Sequence, residues 1–597
     1  MVLDKSTRLR IRRTFRRRQK LVQTATTNAG NTFEDNFFGR LERLFDVQRF
    51  IIGWVFLLVT ATVLTVLQTI GLGQYYLRLG PVAGGIFQEG MVGVYSNANP
   101  IYATGPVDTN ISRLVFAGLF KFDNKNRLIG DLATKYDVDE SGRTYTVHLN
   151  PKATWHDGAK LTSKDVVFTY KLIQNPDAKS PLLYSWQGIT VSAPNEKTVV
   201  FKLPNALTAF PYSLTNGIVP EHILKKVPAQ KLRADRFNTS SPVGAGPFRW
   251  NTLQLGSESS LNEAKTLISL KPFDDYIGGK PLLDGFVIHV YEDEDALLAA
   301  YASRTVQAIT GLSSIPKEIS NDSTNTVYNF STTAANYLFF KISEPPFNDS
   351  AVRKALIASV DQNAIIRRLG VKLKPVKSPL LRSQTSYYNK AYEQRTNDIA
   401  KARTMLDEEG WKKGPDGVRS KDNRKLILQV TAEDTQENHT VLSALKEYWS
   451  LVGAQTAAVL LPATDFQSSL ETHSYSALLY GVSIGPDPDV FVYWDSSQSD
   501  PRSPNRLNFS EYKSATADSA LEAGRTRQDV AVRAVKYESF LKAWQEDAPA
   551  LGLYQPNSLY VRRGKIAGLT ERVINTDADR YYSVSQWSIK TGNIPKF

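Results

Sequence analysis

Between Phe50 and Leu77 the chain carries no charged side chain, and its first 23 residues, Phe50–Leu72 (FIIGWVFLLVTATVLTVLQTIGL), are long and apolar enough to cross a bilayer as one helix. Arg49 and Arg78 bracket the run. Ahead of it stand Lys5, Arg8, Arg10, Arg12, Arg13, Arg16, Arg17, Arg18 and Lys20. By the positive-inside rule that tail stays in the cytoplasm and everything after about residue 78 lies outside. Neither a small-x-small cleavage site nor a lipid-attachment cysteine follows, which predicts an uncleaved signal anchor in the cell membrane, single-pass. Arg12-Arg13-Thr14-Phe15 loosely resembles a twin-arginine signal but lies too far upstream of the apolar run. Phe37, Phe38, Leu41, Leu44, Phe45 and Phe50 are spaced for a juxtamembrane amphipathic helix over Phe33–Phe50. One span cannot form a channel, so function belongs to the remaining residues.

Those residues are too many for one core, and a chain of 597 should divide into two or three lobes. The net charge of +13 does not imply a nucleic-acid partner. Before residue 50 there are 12 Lys/Arg against 5 Asp/Glu, so about half the excess sits in the tail, as an orientation signal that also touches anionic lipid. With no cysteine there is no disulfide, thiolate metal site or cysteine nucleophile.

Strand-like and helix-like segments alternate through the rest. Thr144–Leu149 (TYTVHL) and Thr198–Leu203 (TVVFKL) read as half-buried strands. Thr162-Ser163-Lys164-Asp165 predicts a capped helix start, and Asp157-Gly158 before it a tight turn. Ala351–Leu369 reads as one helix with one buried stripe. The mixture predicts an α/β protein with mixed sheets.

Several stretches resemble the family 5 extracellular solute-binding proteins, the oligopeptide-, dipeptide- and nickel-binding group of ABC importers. They are Asn99-Pro100, Asn110–Asp123 (NISRLVFAGLFKFD), Trp155–Gly158 with Ser163–Tyr170, Pro242–Phe248 (PVGAGPF), Pro345–Ala358 with Asp361, Asp487-Pro488-Asp489, Asn508–Tyr512 and Arg580–Ile589, collinear over about residues 85–597. The resemblance implies a two-lobed periplasmic-binding-protein type II-like fold with an inserted small domain, closing on its ligand by a hinge. The expected division is a cytoplasmic tail at 1–49, an anchor at 50–72, a linker at 73–90, a first lobe at 91–334, a second at 335–548, and a return at 549–597. Gly244 and Gly246 permit positive φ, and Arg353 is expected to make a structural ion pair or surface contact.

The resemblance also places the ligand. One contact region is the loop Thr104, Gly105, Pro106, whose backbone can pair with an extended peptide. The other is Tyr480, Gly481, Val482, Ser483 and Ile484, with Asp487 and Trp494 beyond. Here the sequence departs from the pattern. Peptide-binding members commonly carry an Asp three residues before the acid-Pro pair to hold the peptide's α-ammonium, and a Trp upstream. Counted without a gap, those positions hold Ile484 and Gly481; a one-residue slip gives Ser483 and Tyr480. An unpaired buried ammonium is costly, so the ligand is recognised by another terminus, is neutral, or meets an acid from elsewhere.

Catalysis finds little support. Gly481–Gly485 matches G-x-S-x-G, yet none of His148, His156, His222, His289, His439 and His473 follows Ser483, as a hydrolase of that order requires. No H-E-x-x-H or G-x-x-x-x-G-K-[ST] occurs, so neither a zinc hydrolase nor an ATPase is indicated, and no cofactor or metal is implied. The expectation is a monomeric substrate-binding component of an ABC importer that captures peptides or peptide-like solutes for a permease. A non-peptide cargo (glycan, metal chelate, cell-wall fragment) and a surface interaction or chaperone role are the alternatives.

Overall fold

The computed structural model describes residues 5–33, 47–256, 263–500, 502–503 and 506–596, and the chain divides into two units. The first, Met1–Gly80 with Thr591–Phe597, holds two long helices, Lys5–Phe33 and Gln48–Tyr76. Arg10, Arg12, Arg13, Arg16, Arg17, Arg18 and Lys20 are exposed on the former. The latter encloses Phe50–Leu72, the one helix among the described residues long and apolar enough to cross a membrane. Most of the expected amphipathic segment Phe33–Phe50 lies outside the described residues. Residues 73–90 do not form a plain linker. Leu77–Val82 pairs with Lys590–Pro595, and Ile86–Val92 enters a central sheet, where Phe87 and Met91 are buried.

The second unit, Pro81–Lys590, carries two large sheets. The eight-stranded sheet runs Val573–Ile574, Asn325–Thr332, Asn557–Arg563, Ala308–Thr310, Ile86–Val92, Gly285–Tyr291, Thr266–Pro272, Phe248–Leu255. Ile86–Val92 pairs in parallel with both neighbours. Gly285–Tyr291 (GFVIHVY) is mostly buried on both faces, as a near-continuous apolar run in a parallel pair should be. A separate antiparallel sheet, Ala133–Val138, Thr144–Leu149, Thr198–Lys202, Thr190–Asn195, is inserted in this lobe. Its Tyr145, Val147 and Leu149 alternate inward as the sequence predicts. The six-stranded sheet runs Lys374–Pro375, Ala550–Gln555, Ala334–Phe340, Ala477–Ser483, Ile427–Glu433, Gln455–Leu461, and forms the second lobe.

The backbone passes between the large sheets at two places, Thr333 on the way out and Pro556 on the way back. Ala550–Gln555 thus belongs to the second lobe rather than to the return segment, because its backbone pairs with Ala334–Phe340. Two-point attachment is the geometry of a hinge.

Local details refine the reading. Asp165 accepts the Thr162 N–H at 2.8 Å at the start of Ser163–Ile173, and Gly158 takes φ +88° in the Asp157-Gly158 turn. Gly244 and Gly246 do not adopt positive φ; a Cβ there would lie 1.9 Å from the Val115 carbonyl oxygen and 2.6 Å from its carbon, so close approach demands glycine. Ala351–Leu369 is two helices, Ser350–Ser359 and Gln362–Leu369, because Asp361 leaves the helical conformation to cap the second, accepting from the Ala364 N–H at 3.0 Å. Arg353 is buried and donates to the carbonyls of Phe347, Asp547 and Ala548, closing the end of the helix Val530–Asp547.

Candidate ligand cleft

The first-lobe loop Thr104–Pro106 is held from below. Gly105 caps the helix Pro106–Val115, and its carbonyl accepts the Thr109 N–H at 2.9 Å. Asp108, in that helix, accepts the backbone N–H of Ser96 at 2.8 Å and of Asn97 at 3.2 Å, tying the preceding segment to it. Two residues further along, Asn110 accepts from Arg580 at 2.9 Å. Arg580 also donates to Glu89 on the central strand, and Glu89 accepts from Tyr560 and Tyr581 at 2.7 and 2.6 Å. Glu89 and Arg580 are both fully buried, so this network is a fixed anchor for the helix. Thr104 is exposed, and no heavy atom lies within 4 Å of where a Gly105 Cβ would sit.

In the second lobe, Ala477–Ser483 pairs antiparallel with Ala334–Phe340 over its whole length. The Ile484 N–H donates to the Thr333 carbonyl at 2.8 Å in the same register, which makes the even-numbered residues the hydrogen-bonded partners of that strand. The odd-numbered residues therefore direct their N–H and C=O groups to the opposite edge. There the neighbour Ile427–Glu433 pairs only at Ala477 and Leu478. Gly481 and Ser483 are exposed beyond that point, with an edge free to take another strand; the Ser483 carbonyl already accepts the Tyr493 hydroxyl at 2.7 Å.

The other sequence-predicted residues have different surroundings. Val482, Ile484 and Trp494 are buried, with side chains in the second-lobe core. Tyr480 is half-buried with its ring 5.8 Å from Phe466 and 5.3 Å from Phe509; burial, then the nearby Glu433 carboxylate, raises its pKa. Asp487 forms a bidentate pair with Arg533 at 2.7 and 3.0 Å, and Arg533 lies over Tyr387 and Tyr537. Asp489 pairs with Arg525 at 3.0 Å, and burial still raises its pKa, helped by Asp487. Both acids of the Asp-Pro-Asp motif are thus already met by arginines. Among the described residues no hydrogen bond joins Thr104–Pro106 to Tyr480–Ser483.

The lobes do meet elsewhere. Thr208 of the first lobe donates its N–H to the Arg525 carbonyl at 2.9 Å and its hydroxyl to the Arg527 carbonyl at 2.7 Å. The Gln528 side chain donates to the Tyr145 hydroxyl at 3.4 Å. Tyr212, in the first lobe, has its pKa raised to about 12 by burial and then by Asp487, which places it near the Asp487–Arg533 pair. It lines a cavity of about 200 Å3 with Ala103, Thr109 and Arg113. A second cavity, of about 340 Å3, lies at the returning crossing, walled by Ser313 and Asn557 on one lobe and Glu437 and Tyr554 on the other. Sequence reasoning passed over Tyr212, Arg113 and Glu437. A lone tyrosine, arginine or glutamate carries no spacing signal, and only the fold brings them to the cleft.

The sequence profile of the bacterial extracellular solute-binding proteins, family 5, matches residues 127–503. The chain belongs to that family. A relative of this family 5 protein from Brucella ovis, named for ABC transporter peptide binding, is 28% identical over 508 residues, covering 82% of this chain and 90% of its own. The oligopeptide-binding protein AppA of Bacillus subtilis is 27% identical over 499 residues, covering 80% of this chain and 87% of its own. The crystal structure of that AppA with a nonapeptide superposes with a TM-score of 0.66 at 24% identity, covering 86% of this chain and all of the other. NikZ of Campylobacter jejuni in complex with Ni(L-His) gives 0.67 at 24% identity, covering 84% and 99%. Two lobes, two crossings and the inserted sheet are therefore the fold of this solute-binding family.

Proposed function

We propose that this protein captures peptides or peptide-like solutes outside the cytoplasm and delivers them to the permease of an ABC importer. The observation that carries the reading is the backbone edge at Gly481 and the Ser483 N–H, which pair with no strand among the described residues, on a lobe whose described backbone joins its partner at two points. An extended peptide satisfies such an edge by main-chain hydrogen bonds, and closure of the first lobe buries it. The relatives named for peptide binding support this cargo. In this reading Thr104, Gly105 and Pro106 meet the ligand from the first lobe, and Tyr480, Gly481, Val482, Ser483 and Ile484 from the second, mainly through backbone. Asp487 and Trp494 support that strand from behind. The protein works as a monomer without catalysis. Phe50–Leu72 anchors it in the cell membrane with the basic tail in the cytoplasm, so the receptor stays near its permease at high effective concentration.

Native mass spectrometry of the full chain, released from detergent micelles, tests the proposal. A ladder of adducts with the masses of short peptides is expected. A non-peptide adduct would replace the cargo class, and an empty protein without a thermal shift in peptide mixtures would refute the receptor reading.

A further inference from the structure

The exposed apolar surface of the first unit does not stop where its candidate span stops. The helix Gln48–Tyr76 runs four residues past Leu72 and passes directly into the strand Leu77–Val82. Large apolar side chains are exposed from Phe50 to Leu72, and the exposure continues at Tyr76, Leu77 and Leu79, at 44, 37 and 78%. Gly80 and Val82, further along the strand, are half-buried, and a Cβ on Gly80 would collide with Ile594. The start of the strand is therefore apolar and uncovered, while its later part is packed by its own partner.

That partner, Lys590–Pro595, adds charge of one sign. The Lys596 N–H donates to the Tyr76 carbonyl at 2.9 Å and the Ser588 hydroxyl to the Val82 carbonyl at 2.6 Å, so the two segments run antiparallel. Arg78 and Lys596 thus stand at the base of the ribbon and Lys590 at its far end, all three exposed. Residues 73–88 and 588–597 contain no Asp or Glu, and Arg78 has no salt bridge among the described residues. Helical rise fixes the level of this base. Four residues put Tyr76 about 6 Å beyond Leu72, and the headgroup layer on each side of the hydrocarbon is about 5–8 Å deep. The base of the ribbon begins inside that layer, where tyrosine rings and the long stems of arginine and lysine are favoured. Exposed leucines beside an arginine that no acid answers match a surface of anionic phosphate over hydrocarbon.

We infer that the base of this ribbon is a lipid-binding surface, with Leu77 and Leu79 at the boundary of the acyl chains and Arg78 on the phosphate of an anionic lipid, Lys596 beside it. The inference rests on the reading of Phe50–Leu72 as the membrane anchor in the preceding subsection. Because the two strands come from opposite ends of the solute-binding fold, the bilayer surface holds that fold by two strands and not by a single stalk.

The chain has no cysteine, so one introduced cysteine can carry a reporter. The full-length protein with Leu79→Cys, labelled with a small apolar fluorophore, is reconstituted in vesicles of phosphatidylcholine with phosphatidylglycerol. Quenching is compared between lipids brominated high on the acyl chain and iodide in the water. Lipid bromine is expected to quench the label at residue 79 and iodide to be excluded. Arg78→Gln in the same labelled chain is expected to lower the ratio of lipid-shielded to water-exposed label about five-fold, the effect of one cation at an anionic surface. Vesicles of phosphatidylcholine alone are expected to give a loss at least as large, and Lys590→Gln, at the far end of the ribbon, to give none. A label at Val63→Cys reports the span itself. Lipid quenching at residue 63 with iodide quenching at residue 79 overturns the ribbon contact and leaves the anchor standing. A ratio unchanged by Arg78→Gln, or lowered as much by Lys590→Gln, overturns the phosphate contact in the same way. Iodide quenching at residue 63 overturns the anchor, and the inference with it.

Discussion

Asp487→Ala separates a carboxylate that holds the cargo from one that holds the fold. Asp487 and Arg533 side chains are 9% and 3% exposed and share two hydrogen bonds of 2.7 and 3.0 Å. Burial opposes the Arg533 charge, and Asp487 outweighs it, raising the guanidinium pKa further. Removing the acid leaves that cation desolvated between Tyr387 and Tyr537, whose rings compensate only partly. The expected cost is about 3–5 kcal/mol, the range for breaking one side of a buried pair. For a lobe of about 220 residues each kcal/mol lowers the melting temperature by about 2–4 °C, so calorimetry should show the second-lobe transition falling by about 6–20 °C. The double variant Asp487→Asn/Arg533→Met removes the orphaned charge and should recover most of the loss. An Asp487→Ala protein that melts like wild type while its affinity for peptide collapses would refute the structural role and return this carboxylate to the ligand.

Three further outcomes follow from the same geometry. Thr208→Val deletes the hydroxyl that donates to the Arg527 carbonyl between the lobes; a net loss of about 0.5–1.5 kcal/mol from the closed arrangement should weaken ligand affinity about two- to ten-fold, read by calorimetric titration. Gly105→Trp meets no neighbour at its Cβ, so circular dichroism should match wild type while peptide affinity falls if the loop is the contact proposed above. Stability should also rise with pH from about 4 to about 6.5: burial holds His156 and His289 near 4 in the fold, so the unfolded chain binds more protons across that window and the stabilisation present above it is lost on acidification. His156 is fixed as the neutral tautomer, accepting the Gly244 N–H at Nδ1 and donating to the Gly246 carbonyl from Nε2, and a flat stability profile between pH 4 and 6.5 would contradict that assignment.

Periodicity and composition are local quantities, and they carried the features that depend on neighbouring residues. Phe50–Leu72 needs only its own sequence to be a helix long and apolar enough to cross a membrane. Thr144–Leu149 alternates because each strand has one buried face, and Asp157-Gly158 turns because glycine tolerates positive φ. The two-lobed α/β architecture came from collinear motifs that are themselves short-range. What the sequence left undetermined depends on residues far apart along the chain. Gly244 is glycine because Val115 crosses it, not because of its own dihedral angles. Asp487 reads as a candidate ligand acid until folding brings Arg533 against it, 46 positions away. Glu437 carries no signal in sequence. It reaches the cavity at the returning crossing only when long-range strand pairing sets Tyr554 and Asn336 on one of its oxygens. Local sequence dictated the elements, and long-range strand pairing decided which charges are paired internally and which remain available to a ligand.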